Sequence, residues 1–244
     1  MMLKLLAAFV IVIAGLQVAM AAEWIKPIWH GSATSKKIAL TFDDGPKPEQ
    51  SGPILDTLDA LDVKATFFIV GKECQLYPDF LNRMVRSGHE LANHTYTHTR
   101  LDSLEADAIG VEIVSTNQLI EALTGKKMRY FRPPGGRFNR IVLEKAQEAG
   151  LETVLWDVNP GDYTQKKAPL DLNEDQPITN RSSKLIYEAV LRNIRGGSIV
   201  LFHNGGIQTV KAIWDVIVEL QRQGYQMVTL SELLSDMPTV TRAR

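Results

Sequence analysis

Two carboxylates side by side and two imidazoles four positions apart are the residues of this chain best placed to do chemistry together. In Thr41-Phe-Asp-Asp-Gly-Pro46, Asp43 and Asp44 stand at the end of the apolar run Lys37–Phe42, and Gly45-Pro46 turns the chain there. Along a regular strand neighbouring side chains point to opposite faces, so the two acids converge only if the strand breaks where they stand. Like charges that close repel unless a cation takes one of them or a proton neutralises it. An Asp-Gly-Pro turn can also be plain surface. What shifts the balance is His94-Thr-Tyr-Thr-His98, whose spacing puts two imidazoles on one face of a tight turn. Two nitrogens and one carboxylate oxygen are the ligand set of a catalytic zinc, with a position left for water. The same set suits non-haem iron, so the ligands do not fix the metal.

These residues need a scaffold, and the rest of the chain describes one. Apolar runs that read as strands fall at Lys37–Phe42, Ala65–Val70, Glu90–Asn93, Arg129–Phe131, Glu152–Asp157, Ser198–Phe202 and Tyr225–Thr229. Between them lie helical patterns: Ile54, Leu55, Leu58 and Leu61; Pro78 to Gly88; a helix opened by a capping box at Asp102 and Glu105 and ended by Gly125; Asn139–Ala149; Ser183–Arg195; Ile207–Gly224; and a short one near Ser231–Leu234. Strands that are apolar throughout and alternate with helices are parallel strands covered on both faces. The expectation is a single α/β domain with about seven parallel strands, close to a barrel. In such folds sites form at the C-terminal ends of strands. Asp43 and Asp44, His94, Arg132, Asp157 with Asp162, and His203 all follow predicted strands. Gly161–Ser183 is the least patterned stretch and long for a plain connection, which predicts a functional wall or lid.

The 244 residues are 45% hydrophobic and 23% charged, an ordinary globular composition. Met1–Lys4 is a short basic start, Leu5–Leu16 is unbroken and apolar, and Ala19-Met20-Ala21 is a small-x-small cleavage pattern: residues 1–21 read as a secretory signal peptide. A retained anchor is the alternative, but Gln17 interrupts the run short of the roughly 20 residues a span needs. Cleavage removes Lys4 from 27 basic residues against 28 acidic ones, leaving a net charge of −2. Nothing there steers the protein to nucleic acid or to an anionic membrane. The single cysteine, Cys74, excludes an internal disulfide and reads as a buried structural thiol. His30, in the lead-in 22–35, is given no role. The domain is expected over residues 36–236, with a loose tail at 237–244.

Five of these stretches taken together resemble the motifs of the polysaccharide deacetylases, the NodB-homology or carbohydrate esterase 4 group. They are Thr41–Pro46, His94–His98, Phe131-Arg132-Pro133-Pro134-Gly135, Trp156-Asp157 to Asp162-Tyr163, and Leu201-Phe202-His203, spanning about Lys36 to Leu234. The resemblance implies a distorted (β/α) barrel and metal-dependent removal of acetyl groups from N-acetylated sugars. It implies Asp44, His94 and His98 as metal ligands, Asp43 as catalytic base, Arg132 as its orienter, His203 as general acid and Asp162 as the partner that tunes it. Leu201 would line the acetyl pocket, Gly135 would offer its backbone N–H to the oxyanion, and Tyr163 and Trp156 would provide aromatic surface for sugar. Three positions depart from the pattern: Gly135 and Tyr163 stand where an aromatic and a Trp are frequent, and Asn204 follows His203 where Asp is frequent. The expectation is an exported monomer that acts in the periplasm or cell wall on peptidoglycan first and chitin-like oligosaccharides next. Zinc is the foremost metal, with cobalt, nickel, manganese or iron as alternatives. O-acetyl ester hydrolysis, as on xylan, and a catalytically silent sugar-binding protein are the competing readings.

Overall fold

A computed structural model describes residues 25–163, 181–235 and 237. The predicted signal peptide, most of the unpatterned Gly161–Ser183 stretch and the predicted tail beyond Met237 lie outside these residues.

Seven parallel strands form one sheet: β1 Lys37–Gly45, β2 Thr66–Ile69, β3 Glu90–Asn93, β4 Tyr130–Phe131, β5 Glu152–Thr153, β6 Ile199–His203 and β7 Gln226–Met227. The order is β5-β4-β3-β2-β1-β6, with β7 on the first residues of β1. Eight helices are described: α1 Pro48–Ala60, α2 Gly71–Leu76, α3 Pro78–Arg86, α4 Ala106–Thr124, α5 Arg140–Glu148, α6 Ser183–Asn193, α7 Ile207–Arg222 and α8 Leu230–Ser235. The sheet curls into a distorted (β/α) barrel.

Alternation along the strands sorts the core into two layers. Ile38, Leu40 and Phe42 of β1 belong to the outer layer under the helices, where Phe42 stacks between Phe67 and Phe202 at ring separations of 5.2 and 5.6 Å. Ala39, Phe68, Ala92, Tyr130 and Ile199 fill the barrel interior, and Leu230, Leu233 and Leu234 of α8 pack against them. Continuing upward on the interior faces, the side chains turn polar: Thr41 and Asp43, His94, Arg132 and, one step above the apolar Leu201, His203. The packed floor leaves those groups gathered at the C-terminal mouth.

Two expectations change and one holds on an added helix. Ladder pairing in β5 stops at Thr153, where Glu152–Asp157 was predicted as strand. Beyond it the backbone crosses the open edge: Val154 bridges Ile28, and Val158 bridges Val200 of β6. The Asp157 carboxylate takes the Ile199 N–H at 2.8 Å, so a side chain replaces a ladder carbonyl and the barrel closes irregularly. The capping box at Asp102 is not formed. Arg100 occupies that carboxylate, residues Leu101–Ser103 make a 3₁₀ turn, and α4 starts after Glu105 with no side-chain cap. Cys74 lies on the unpredicted short helix α2, fully buried, and burial pushes its thiol pKa well up. That matches an inert core thiol.

Candidate active site

β1 breaks as the two acids require. Its register with β2 shifts between Phe42 and Gly45, and Asp44 takes a left-handed backbone, φ 69°. A bulge of this kind re-aims a side chain, so Asp43 and Asp44 reach the same mouth instead of opposite faces.

Asp43 belongs to Arg132. The guanidinium Nη1 donates to Asp43 Oδ1 at 2.7 Å and to Thr41 Oγ1 at 2.9 Å. Nε and Nη2 donate to the carbonyls of Val154 and Leu155 at 3.1 and 2.9 Å. Those two carbonyls lie in the segment where β5 abandons its ladder, so the irregular crossing supplies acceptors for a fully buried cation. The guanidinium also lies 3.9 Å from the Phe68 ring centroid and 5.4 Å from that of Trp156. Burial pulls the Arg132 pKa down and Asp43 opposes it. Fixed on four acceptors, Arg132 cannot swing, and it holds Oδ1 of Asp43 while Oδ2 faces His94 Nε2 at 3.7 Å.

Asp44 belongs to the histidines. Its Oδ1 is 3.3 Å from His94 Nε2 and 3.0 Å from His98 Nε2, yet none of these contacts has hydrogen-bond alignment, and Oδ1 is buried without a hydrogen-bond partner. His94 Nδ1 lies 2.7 Å from the Arg132 carbonyl; a proton there fixes the tautomer and leaves the Nε2 lone pair facing Asp44. One ligand atom from each of Asp44, His94 and His98 lies within 4.8 Å of the others, the one such metal-sized group among the described residues. An orphaned buried carboxylate oxygen facing two imidazole nitrogens fits a divalent cation. Burial alone would raise the Asp44 pKa; the two imidazoles outweigh it and hold the carboxyl well below its usual range. Burial likewise opposes a charged His98, and Asp44 outweighs it.

His203 stands on the other side of Asp43. Asp162 accepts from the His203 backbone N–H at 2.8 Å and pairs with its Nδ1 at 3.0 Å, and Thr209 of α7 donates to the same carboxylate at 2.7 Å. The Tyr163 ring stacks on the imidazole, with centroids 4.6 Å apart. Burial works against the imidazolium, but Asp162, reinforced by Asp44 and Asp43, lifts the His203 pKa to about 9.

The remaining predicted residues divide. Leu201 lies beside Thr41 in the β1–β6 register and is buried. Trp156 packs over Gly136, where an added Cβ would sit 2.6 Å from the indole. Gly135 is exposed, with φ 64° and open space where a side chain would project. Asp157, although it follows a predicted strand, serves the opposite end of the barrel. It accepts from Ser198 Oγ at 3.1 Å and pairs with Arg195 at 3.3 Å. Residues 157–162 run alongside β6, so Asp157 meets its first residues and Asp162 its last. Sequence reasoning missed Thr41, Thr209 and Glu112, polar side chains that mark no turn and match no ligand spacing.

The sequence profile of the family described as Polysaccharide deacetylase matches residues 30–154, just over half of the chain. The chain belongs to the polysaccharide deacetylase family. It is 36% identical over 211 residues to a peptidoglycan-N-acetylglucosamine deacetylase of Bacillus cereus, covering 84% of this chain and 92% of that one. It is 34% identical over 214 residues to a chitooligosaccharide deacetylase of Bradyrhizobium, covering 82% and 91%. The crystal structure of a carbohydrate esterase 4 pseudoenzyme from Bacillus anthracis superposes with a TM-score of 0.76 at 31% identity, over 86% of this chain and 69% of that one. A pseudoenzyme among the neighbours means that the fold cannot decide activity, and the residue set must.

Proposed function

We propose that this protein hydrolyses the N-acetyl groups of an N-acetylhexosamine polysaccharide, peptidoglycan first and chitin-like oligosaccharides next, releasing acetate and a free amino sugar. The observation that carries the reading is the division of labour between adjacent acids. Arg132 holds Asp43 and the histidines face Asp44, so one carboxylate is available as a base while the other serves as a ligand.

Asp44, His94 and His98 hold the divalent ion, for which zinc is proposed. When bound, the ion lowers the pKa of water and polarises the acetyl carbonyl. The chain's own groups do the rest. Asp43 takes the proton of the attacking water through Oδ2, since Arg132 occupies Oδ1. The oxyanion that develops on the acetyl oxygen meets the backbone N–H of Gly135. An amine is a poor leaving group, and His203, kept charged by Asp162, delivers its proton. Leu201 borders the acetyl methyl, and Tyr163 and Trp156 offer aromatic faces to sugar rings.

The same site serves an O-acetyl ester, and a pseudoenzyme on this fold is the reason to test a silent sugar-binding reading, against which the full set Asp43, Asp44, His94, His98 and His203 argues. Both are separated from the main proposal by one measurement. Purified peptidoglycan and a panel of N-acetylated and O-acetylated glycans are incubated with the zinc-loaded protein, and products are read by mass spectrometry. The expected result is loss of acetyl from nitrogen, abolished by a chelator; release from oxygen alone, or none, sinks the proposal.

The relatives' substrates and the N-terminal pattern support export to the periplasm or cell wall, with residues 1–21 removed; that the protein works as a monomer is part of the proposal. No helix among the described residues is long and apolar enough to cross a membrane.

A further inference from the structure

His94 and His98 are held differently. His94 directly follows β3, and its ring is fixed by the Arg132 carbonyl. His98 lies at the end of a loop in which Thr95 and His98 both adopt left-handed backbone, φ 67° and 63°. Residues other than glycine occupy that region at a steric cost, and hold it only where the surroundings over-determine it. The loop's internal support is the Thr95 hydroxyl, which accepts the His98 N–H at 3.1 Å. The stronger support comes from one side chain of α4. Glu112 Oε2 accepts the N–H groups of Tyr96 and Thr97 at 2.9 and 2.8 Å, and Oε1 accepts the Thr97 hydroxyl at 2.8 Å.

We propose that Glu112 is a positioning residue of the metal site: by clamping residues 96 and 97 it presets the backbone that aims His98 at Asp44. The proposal rests on the reading of Asp44, His94 and His98 as metal ligands. The geometry is specific to this loop. Both carboxylate oxygens of Glu112 are spent on it, and three bonds fall on the two residues just before His98. Opposite Glu112, the N–H groups of Gly71 and Lys72 donate to the Thr95 and Tyr96 carbonyls at 3.0 and 2.9 Å, so the loop is gripped from α2 and α4 together. Gly71 allows this approach, since a Cβ there would sit 2.5 Å from the Tyr96 ring. Without Glu112 the loop has other backbone states open to it. Binding an ion must then select the left-handed one, and affinity falls by the fraction of time the loop spends elsewhere.

Zinc affinity measured by competition with a chromophoric chelator tests this. Glu112→Ala is expected to weaken zinc binding by about 10- to 100-fold, the range for partners that orient ligands. Glu112→Gln keeps an oxygen for the two N–H groups and an amide for the Thr97 hydroxyl, and is expected to stay within a few-fold of the unsubstituted protein. Thermal melts with and without zinc separate positioning from mere stability: the zinc-induced rise in Tm should shrink in Glu112→Ala. Equal loss of Tm in both states with unchanged affinity overturns the proposal. Thr97→Val, which removes the hydroxyl's bonds to Glu112 and to Thr99 at an exposed position, keeps the test open should Glu112→Ala fail to fold; it must weaken zinc a few-fold, more than Thr99→Val, which breaks only the bond between the two threonines, and unchanged affinity again overturns the proposal. If the unsubstituted protein itself takes up no zinc, the metal-site reading fails. If it binds zinc and Glu112→Ala binds as tightly, only the role of Glu112 fails.

Discussion

Asp43 and His203 are register partners on neighbouring parallel strands, and the N–H of Asn204 donates to the Asp43 carbonyl at 2.8 Å. The groups assigned here as base and acid are therefore tied together by the sheet itself. They share a face and a level of the barrel because an equal number of residues separates each from the paired residues Ala39 and Ile199. Their outer partners differ. Arg132 pairs with Asp43 at 2.7 Å, and Asp162 pairs with His203 at 3.0 Å and helps lift its pKa to about 9, so the carboxylate has a cationic neighbour and the imidazole an anionic one, as base and acid roles require.

The base is the first assignment to test. In Asp43→Asn an amide oxygen remains for Arg132 to donate to, so the buried guanidinium keeps a partner and the fold is expected to hold. The ligands Asp44, His94 and His98 are untouched. Turnover is expected to fall by about 10²–10⁴, the usual worth of a positioned general base, while zinc content by elemental analysis stays at the unsubstituted level. Near-normal turnover removes Asp43 from the base role.

The acid has a pH signature. As the proposed acid, His203 would work while it carries a proton; with its pKa lifted to about 9 it keeps that proton through neutrality and loses it as pH rises past that value. Asp162→Asn retains an acceptor for Nδ1–H and deletes the negative charge that opposes burial. The folded pKa must then move down, and the alkaline limb of kcat/KM should shift to lower pH by about one unit or more. A bound dication lowers the limb in both proteins, so the difference between them is the quantity to measure. An unmoved limb assigns it to a group other than His203.

The strand ends are legible in the sequence because apolar runs covered on both faces have few polar exceptions, and most of those exceptions gather at one mouth of the barrel. Asp43, Asp44, His94, Arg132, Asp162 and His203 were found that way. The rule misfired on Asp157 because residues 157–162 travel the length of β6, which no local pattern announces. Glu112 and Thr209 were illegible for another reason. A Glu or a Thr on an amphipathic helix looks like a solvated face until the neighbour it meets is known, and that neighbour lies 15 residues away for Glu112 and 47 for Thr209. The bulge at Asp44 was legible only as a requirement, from the need of two adjacent acids to converge.

One histidine outside the site predicts an acid sensitivity of the fold. His89 is buried between β2 and β3, its ring edge-on to Phe67, and its Nδ1 accepts the Ala65 N–H at 3.2 Å. Burial pushes its pKa down to about 4, against Asp59 and aided by Lys64 and Arg83. The folded value lies below the unfolded one near 6.5, so the unfolded chain takes up the proton first. Stability then falls as pH drops from about 6.5 toward 4, by at most roughly 3 kcal/mol from this group. Denaturant unfolding at pH 7 and pH 4.5 should show a smaller drop for His89→Gln, which retains an acceptor for Ala65. Identical drops would mean that His89 is not the group responsible.

The last prediction separates the two bonds this site could cut. An alkoxide leaves a tetrahedral intermediate far more readily than an unprotonated amine, so a proton donor matters more for an amide than for an ester. His203 is assigned that donation; its ring is held by Asp162 on one nitrogen and flanked by Tyr163, and its side chain keeps 14% of its surface exposed, enough for the other nitrogen to meet substrate. Replacing it with Ala leaves Asp43, Arg132 and the three ligands in place, so attack on the carbonyl can still occur. His203→Ala is expected to lose about 10²–10⁴ in kcat on an N-acetyl glycan and much less on an aryl acetate, whose leaving group needs no proton. The two rates are read on one preparation, so zinc loading and folding cancel in their ratio. Equal losses on both substrates would place His203 in positioning rather than proton delivery, and the departing amine would need another donor.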